Sequence, residues 1–248
     1  MNSPNRILII GATSAIAEQL ARPLAPSGAA CYLTGRDTGR LESIAADLRV
    51  RGARQIVFES LNVTDAPALD HLVARATEAL GGLDTLIIAA GLLPDQAEVN
   101  ADARRLRDTF EVNAISAMVI LNSAAAHFEQ QGHGQVVAIG SVAGDRGRAT
   151  NYAYGAAKGA LEIFLSGLRQ RLHKSGVQVL LVKPGFVDTP MTADFKKGPL
   201  WASPERVAED IVRAMEKGRS VIYTPWFWRW IMLIIRLIPE RLFVRLRF

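Results

Sequence analysis

Seven short apolar runs, separated by stretches of helical periodicity, constrain this 248-residue chain more than any other feature. They predict strands at 6–10, 30–35, 54–58, 84–89, 135–140, 177–183 and 220–223. Runs such as Thr85-Leu86-Ile87-Ile88-Ala89 and Val177-Gln178-Val179-Leu180-Leu181-Val182 are close to continuously apolar, as strands buried on both faces require. Parallel neighbours need crossover connections, and the intervening segments of about 11–30 residues are long enough to supply helices. The expected fold class is α/β, a doubly wound seven-stranded parallel sheet over residues 1–224, followed by an amphipathic helical tail over 225–248. Ligands then gather at the carboxyl ends of the strands, near the switch point of the sheet.

Composition removes several classes of function. At 49% hydrophobic and 21% charged, with no low-complexity run, the chain can bury a full core. The single cysteine, Cys31, lies in an apolar stretch and has no internal disulfide partner, so it reads as a small buried hydrophobe. The four histidines lack ligand spacing, and no metal site is expected. A strand beginning by residue 6 leaves no room for a signal peptide, which points to the cytoplasm. Of the net charge of +5, residues 226–248 carry +4 (five arginines, one glutamate), leaving +1 for the remainder. A near-neutral body argues against nucleic acid as a partner and draws attention to the tail.

The residues that carry chemistry lie at strand ends. Tyr154 and Lys158 are four apart and share one face of a helix, thirteen residues after Ser141, which closes the fifth run. A cation beside a phenol favours the phenolate, which predicts a lowered tyrosine pKa and proton transfer near neutral pH. Tyr152 has alanine four residues on, at Ala156, and lacks this partner. The first strand runs through Gly11-Ala12-Thr13-Ser14-Ala15-Ile16-Ala17 into a helix, a turn suited to a pyrophosphate at a helix N-terminus.

Together these features resemble the short-chain dehydrogenase/reductase family over roughly the first 220 residues, and the resemblance implies a Rossmann-type sheet. It places Asn113 with Ser141, Tyr154 and Lys158 in a catalytic tetrad. Tyr154 would donate the proton to a carbonyl oxygen that Ser141 also contacts. Lys158 would tune the tyrosine and bind a ribose, and Asn113 would hold a relay water. The cofactor would lie along Gly11, Thr13, Ser14, Ala15 and Ile16, then Asn62 and Val63, then Ala90 and Gly91. Its nicotinamide would meet Tyr154, Lys158, Pro184, Gly185, Val187 and Thr189. Two departures stand out: Ala15 replaces the second glycine, and Ile88 and Ala89 replace an asparagine pair. Gly35 stands where an acid would select a ribose hydroxyl, and Arg36 follows. NADP(H) is therefore expected over NAD(H). The broad apolar face of the helix predicted from 154 to 173 suggests a homodimer or homotetramer.

The substrate is less legible. Arg146 and Arg148 after Ser141, and Lys196 and Lys197 in a predicted lid, suit an anionic substrate. In the tail, Thr224-Pro225 is expected to start a helix through Trp226-Phe227-Trp228-Arg229-Trp230 to Ile238. Its uncharged run, Trp230 to Ile235, falls far short of the ~20 residues that span a bilayer, so the helix is expected in the interface on the cytoplasmic face. The tail, Ala90-Gly91-Leu92-Leu93 and the loop from Ser141 to Arg148 resemble decaprenylphosphoryl-2-keto-pentose reductases, which implies a lipid-linked keto-sugar substrate. Two readings stand beside it: a reductase of another hydrophobic ketone (steroid-like or acyl), and a non-catalytic NADP-binding scaffold at the membrane.

Overall fold

The computed structural model describes residues 5–246. Seven parallel strands form the central sheet: β1 (Arg6–Ile10), β2 (Ala30–Gly35), β3 (Gln55–Ser60), β4 (Thr85–Ile88), β5 (Gly134–Ile139), β6 (Val177–Pro184) and β9 (Val221–Thr224). Two-residue strands β7 (Phe186–Val187) and β8 (Trp201–Ala202) pair separately. The main sheet runs β3-β2-β1-β4-β5-β6-β9, so the order reverses between β1 and β4. All seven predicted strands are present, with ends shifted by a few residues. The Rossmann-type expectation holds.

The helices cover both faces. On one side α1 (Ala15–Leu24), α2 (Thr38–Val50) and α9 (Pro204–Glu216) bury Leu20, Leu41 and Ile211. The other side holds α3 (Ala66–Leu69), α4 (Leu72–Leu80), α5 (Gln96–Ala101), α6 (Ala103–Phe110), α7 (Ser116–Gln131) and α8 (Tyr152–Leu172). There α4, α7 and α8 bury Leu72, Phe128 and Leu165 against the sheet. Ala103–Gln131 is long and apolar enough to cross a membrane by length and composition, yet half of its most apolar window is buried in this core. The apolar stripe of α8, including Leu161, Leu165, Leu168 and Leu172, is spent inside the chain's own core, and Ile163 is left exposed.

After β9 the chain continues into α10 (Trp228–Leu237) and α11 (Glu240–Phe243). Thr224-Pro225 does not start the helix as expected: Thr224 is the last residue of β9, and its hydroxyl donates to Asp210 Oδ2 at 2.8 Å. The inner face of α10 forms a third core cluster, in which Trp228 and Met232 pack with Val142 from the loop after β5. Its outer face leaves Trp230, Ile234 and Leu237 exposed, and Trp226, just before the helix, is exposed as well. The segment from residue 225 is thus amphipathic, but its inner half is continuous with the domain. Arg247 and Phe248, within the expected tail, lie outside the described residues.

Candidate active site

A cavity of about 750 Å³ opens at the carboxyl ends of β1, β2, β4, β5 and β6. Its wall collects Gly11, Thr13, Ser14, Ala15, Ile16, Arg36, Asn62, Val63, Ala90 and Gly91 at one end. At the other end it collects Ser141, Arg148, Tyr154, Lys158, Pro184, Gly185, Val187 and Thr189.

The dinucleotide end is shaped by the turn after β1. Gly11 has a φ of 76°, and a Cβ there would lie 2.6 Å from the Ala90 backbone nitrogen. Only glycine satisfies both constraints. Ser14 is the N-cap of α1 and makes no side-chain cap bond, so the first-turn amides of α1 have no cap from it. The methyl of Ala15 lines the cavity, while Ala17, at the third glycine place, is buried in the core. At the end of β2, a side chain on Gly35 would meet Thr13 Cγ2 at 3.2 Å, which disfavours a carboxylate there. Arg36 is exposed at the cavity edge, joined by Arg40, which also pairs with Glu18 at 3.5 Å. Arg40 escaped the sequence reading because it is one helical turn beyond the strand end.

At the reaction end, α8 begins at Tyr152, two residues before the predicted start, and puts Tyr154 in its first turn. Gln96 holds that turn: its side-chain oxygen accepts from the Ala153 N–H at 3.0 Å. Tyr152 turns away and donates to Asn100 at 2.6 Å. Lys158 is buried, and its ammonium donates to the Ile139 carbonyl at 3.0 Å. Burial pushes its pKa down to about 8. Burial also raises the Tyr154 phenol above its ordinary value, and a hydrogen bond with Ser141 pulls the other way. This corrects the expected lowering. The ammonium lies 5.8 Å from the ring centroid and is committed to a carbonyl, so desolvation dominates. Ser141 Oγ also accepts from the Ala143 N–H at 3.1 Å, which fixes the loop after β5.

Asn113 does not line the cavity. It sits behind the wall in a π-helical turn, Glu111–Ile115, between α6 and α7. Its amide donates to the Leu92 and Thr109 carbonyls, each at 2.9 Å, and its oxygen accepts from the Leu92 N–H at 3.1 Å. Asn113 therefore pins the chain leaving β4. The π-turn makes this possible by offsetting one residue of an otherwise continuous helix. Gly91 keeps the junction open, since a Cβ there would stand 3.1 Å from Asn113 Oδ1 and 3.6 Å from Lys158 Nζ.

The four predicted substrate cations divide. Arg148 lines the cavity, and its Nε is buried without a hydrogen-bond partner. Arg146 does not face the cavity. It donates to the Ile235 and Ile238 carbonyls, each at 2.6 Å, pairs with Glu240 at 2.8 Å and stacks over Phe243 at 3.7 Å. The reason is geometric: the end of α10 arrives beside the loop and presents its last carbonyls. Lys196 and Lys197 are exposed and outside the cavity wall, Lys197 pairing with Asp188 at 2.6 Å. The expected lid contributes Met191 and Phe195 instead. Asp145, next to Arg146 in sequence, is an internal anion, ion-paired with buried Lys183 and accepting from Tyr223 at 2.9 Å.

A Ser-Tyr-Lys constellation at the end of a dinucleotide cleft agrees with the comparisons. The short chain dehydrogenase family model matches residues 5–199. The chain belongs to that family. An uncharacterized oxidoreductase of Mycobacterium tuberculosis is 37% identical over 234 residues, 94% of each chain. Another, from Streptomyces coelicolor, is 32% identical over 249 residues, 98% of this chain and 96% of the relative. A third, from Staphylococcus saprophyticus, is 30% identical over 217 residues, 86% of this chain and 92% of the relative. Membership makes this an NAD(P)-dependent oxidoreductase. The tight turn at Gly11, the first turn of α1 and the unobstructed strand ends suit a dinucleotide.

Proposed function

We propose that this oxidoreductase is an NADPH-dependent reductase of a lipid-linked anionic ketone, of the polyprenyl-phospho 2-keto sugar class. The buried, unpartnered Nε of Arg148 in the same cavity as Tyr154 carries this reading. An orphaned cationic donor costs free energy unless an anion completes it. The preference for NADPH over NADH is supported by Gly35 with Thr13 packed against it, and by Arg36 and Arg40 at the cavity edge.

When bound, the nicotinamide supplies the hydride. Gly11 and the first turn of α1 would receive the pyrophosphate, and Val187 and Thr189 would orient the nicotinamide. The phenol of Tyr154, kept protonated by burial, donates its proton to the carbonyl oxygen, and Ser141 hydrogen-bonds that oxygen. Lys158 would hold the ribose and, recharged from solvent, return a proton to Tyr154. The exposed apolar face of α10, with its arginines, lies on the cytoplasmic membrane surface and brings the cleft to a lipid-borne substrate. Self-association as a homodimer or homotetramer uses the outer faces of α7 and α8, where Val119 and Ile163 are exposed.

A reductase of a neutral hydrophobic ketone is the second reading, favoured by Met191 and Phe195 at the cavity. Cofactor consumption with polyprenyl-phospho keto sugars and with neutral ketones separates the two. Arg148→Ala should raise KM at least tenfold for the phosphorylated substrate and leave the neutral one nearly unchanged. Equal effects on both would remove the phosphate contact. No turnover with any carbonyl would leave a dinucleotide-binding scaffold.

A further inference from the structure

The sheet ends at β9, and beside this free edge a second groove of about 650 Å³ runs along the outer face of α10. Arg219 enters it from the turn before β9, and Arg229 and Arg236 from α10. Trp226 and Trp230 form its apolar shoulder and are 67% and 56% exposed. Among the described residues, no carboxylate lines the groove. Among the described residues, none of these three guanidiniums has a hydrogen bond or ion pair, in contrast to Arg146 on the far side of the same helix.

We propose that this groove seats the phosphate headgroup of an anionic phospholipid. The inference rests on the reading that the outer face of α10 meets a membrane, and it assigns that meeting a defined site. Guanidiniums recognise phosphate through paired N–H donors, and three of them lining one groove supply the complementary charge. Tryptophan rings favour the boundary between headgroups and acyl chains, the depth at which such a phosphate sits. A second copy of this chain is the poorer occupant, because an isologous contact would set the same three cations against each other.

Arg219 provides the test, because it belongs to the sheet edge and not to the amphipathic helix. Full-length protein is sedimented with phosphatidylcholine vesicles with and without phosphatidylglycerol, and NADPH affinity serves as the control for folding. Wild type should bind only the anionic vesicles. Arg219→Ala should weaken that binding about tenfold or more, as loss of a charged hydrogen-bond donor does. Arg241→Ala, on the tail but outside the groove, should weaken it no more than about fivefold, the share of one arginine in a diffuse surface field. Equal losses in the two variants would overturn the groove and leave the membrane reading standing. If wild type ignores anionic vesicles, the membrane reading fails, and the groove with it. If it instead forms dimers that Arg219→Ala alters, the groove is a self-contact and the proposal is wrong.

Discussion

The two ends of the cleft are built differently. The dinucleotide end is assembled wholly within about the first ninety residues: β1, its glycine turn and α1, the end of β2 with Arg36 and Arg40, and the strand ends at Asn62 and Ala90. The reaction end depends on partners far along the chain. Arg146 closes the end of α10 about ninety residues away, and Trp228 packs directly against Gly185, where any Cβ would collide with its ring. A local site tolerates change elsewhere in the molecule. A site propped by α10 inherits whatever happens to that helix.

The largest effect should come from Tyr154→Phe, which removes the proton donor and little else. Turnover should fall at least about a hundredfold while NADPH affinity, followed by fluorescence titration, stays near wild type. A large loss of affinity would show that the two ends are not independent. Next in size is Trp228→Ala. Emptying this buried site should cost about 3–5 kcal/mol, read by urea denaturation. Under conditions where the variant is folded, kcat should fall, while binding of adenosine 2′,5′-bisphosphate, a ligand of the dinucleotide end alone, should hold. Unchanged kcat would mean that α10 stabilises the domain without shaping the reaction end.

This division also explains what the sequence disclosed. The strand positions, Gly11, Ser141, Tyr154 and Lys158 follow from short-range pattern, because apolar runs, a tight turn and an i,i+4 pair are local facts. Arg146 and Arg148 look equivalent in the sequence, two apart in a polar loop. Only the arrival of the α10 carbonyls from a distant part of the chain separates a helix clamp from a cavity cation. Gln96 was likewise silent, since nothing local ties it to the Ala153 amide. The lowered tyrosine pKa was a local inference as well, and burial, a property of the whole fold, overrode it.

A smaller, cleaner contrast is expected from Arg36→Ala at the dinucleotide end. Losing a charge-assisted contact worth roughly 1.5–3 kcal/mol should weaken NADPH about ten- to hundredfold and leave NADH almost untouched. Wild-type affinity equal for both cofactors would refute the assignment of the 2′-phosphate to this corner.

The subtlest test concerns Lys158, where spacing and burial disagree. Its folded pKa is depressed to about 8 from an ordinary value of 10.5, so between these values the unfolded chain holds more protons than the native state. Stability must then rise with pH across that window. Below pH 8 the lysine is charged in both states and its burial is a constant penalty; approaching 10.5 the penalty disappears. Lys158→Met lacks the titration, so it should be more stable than wild type at pH 7, with the gap narrowing by about 2 kcal/mol at pH 9.5. Urea unfolding of both proteins at the two pH values measures this, and other groups largely cancel in the difference. The Tyr154 phenol, raised above 10, contributes little in that range. A gap independent of pH would mean that Lys158 stays charged in the folded protein throughout. The ammonium would then be available to favour a phenolate at Tyr154, and the i,i+4 spacing would outweigh desolvation at the reaction end.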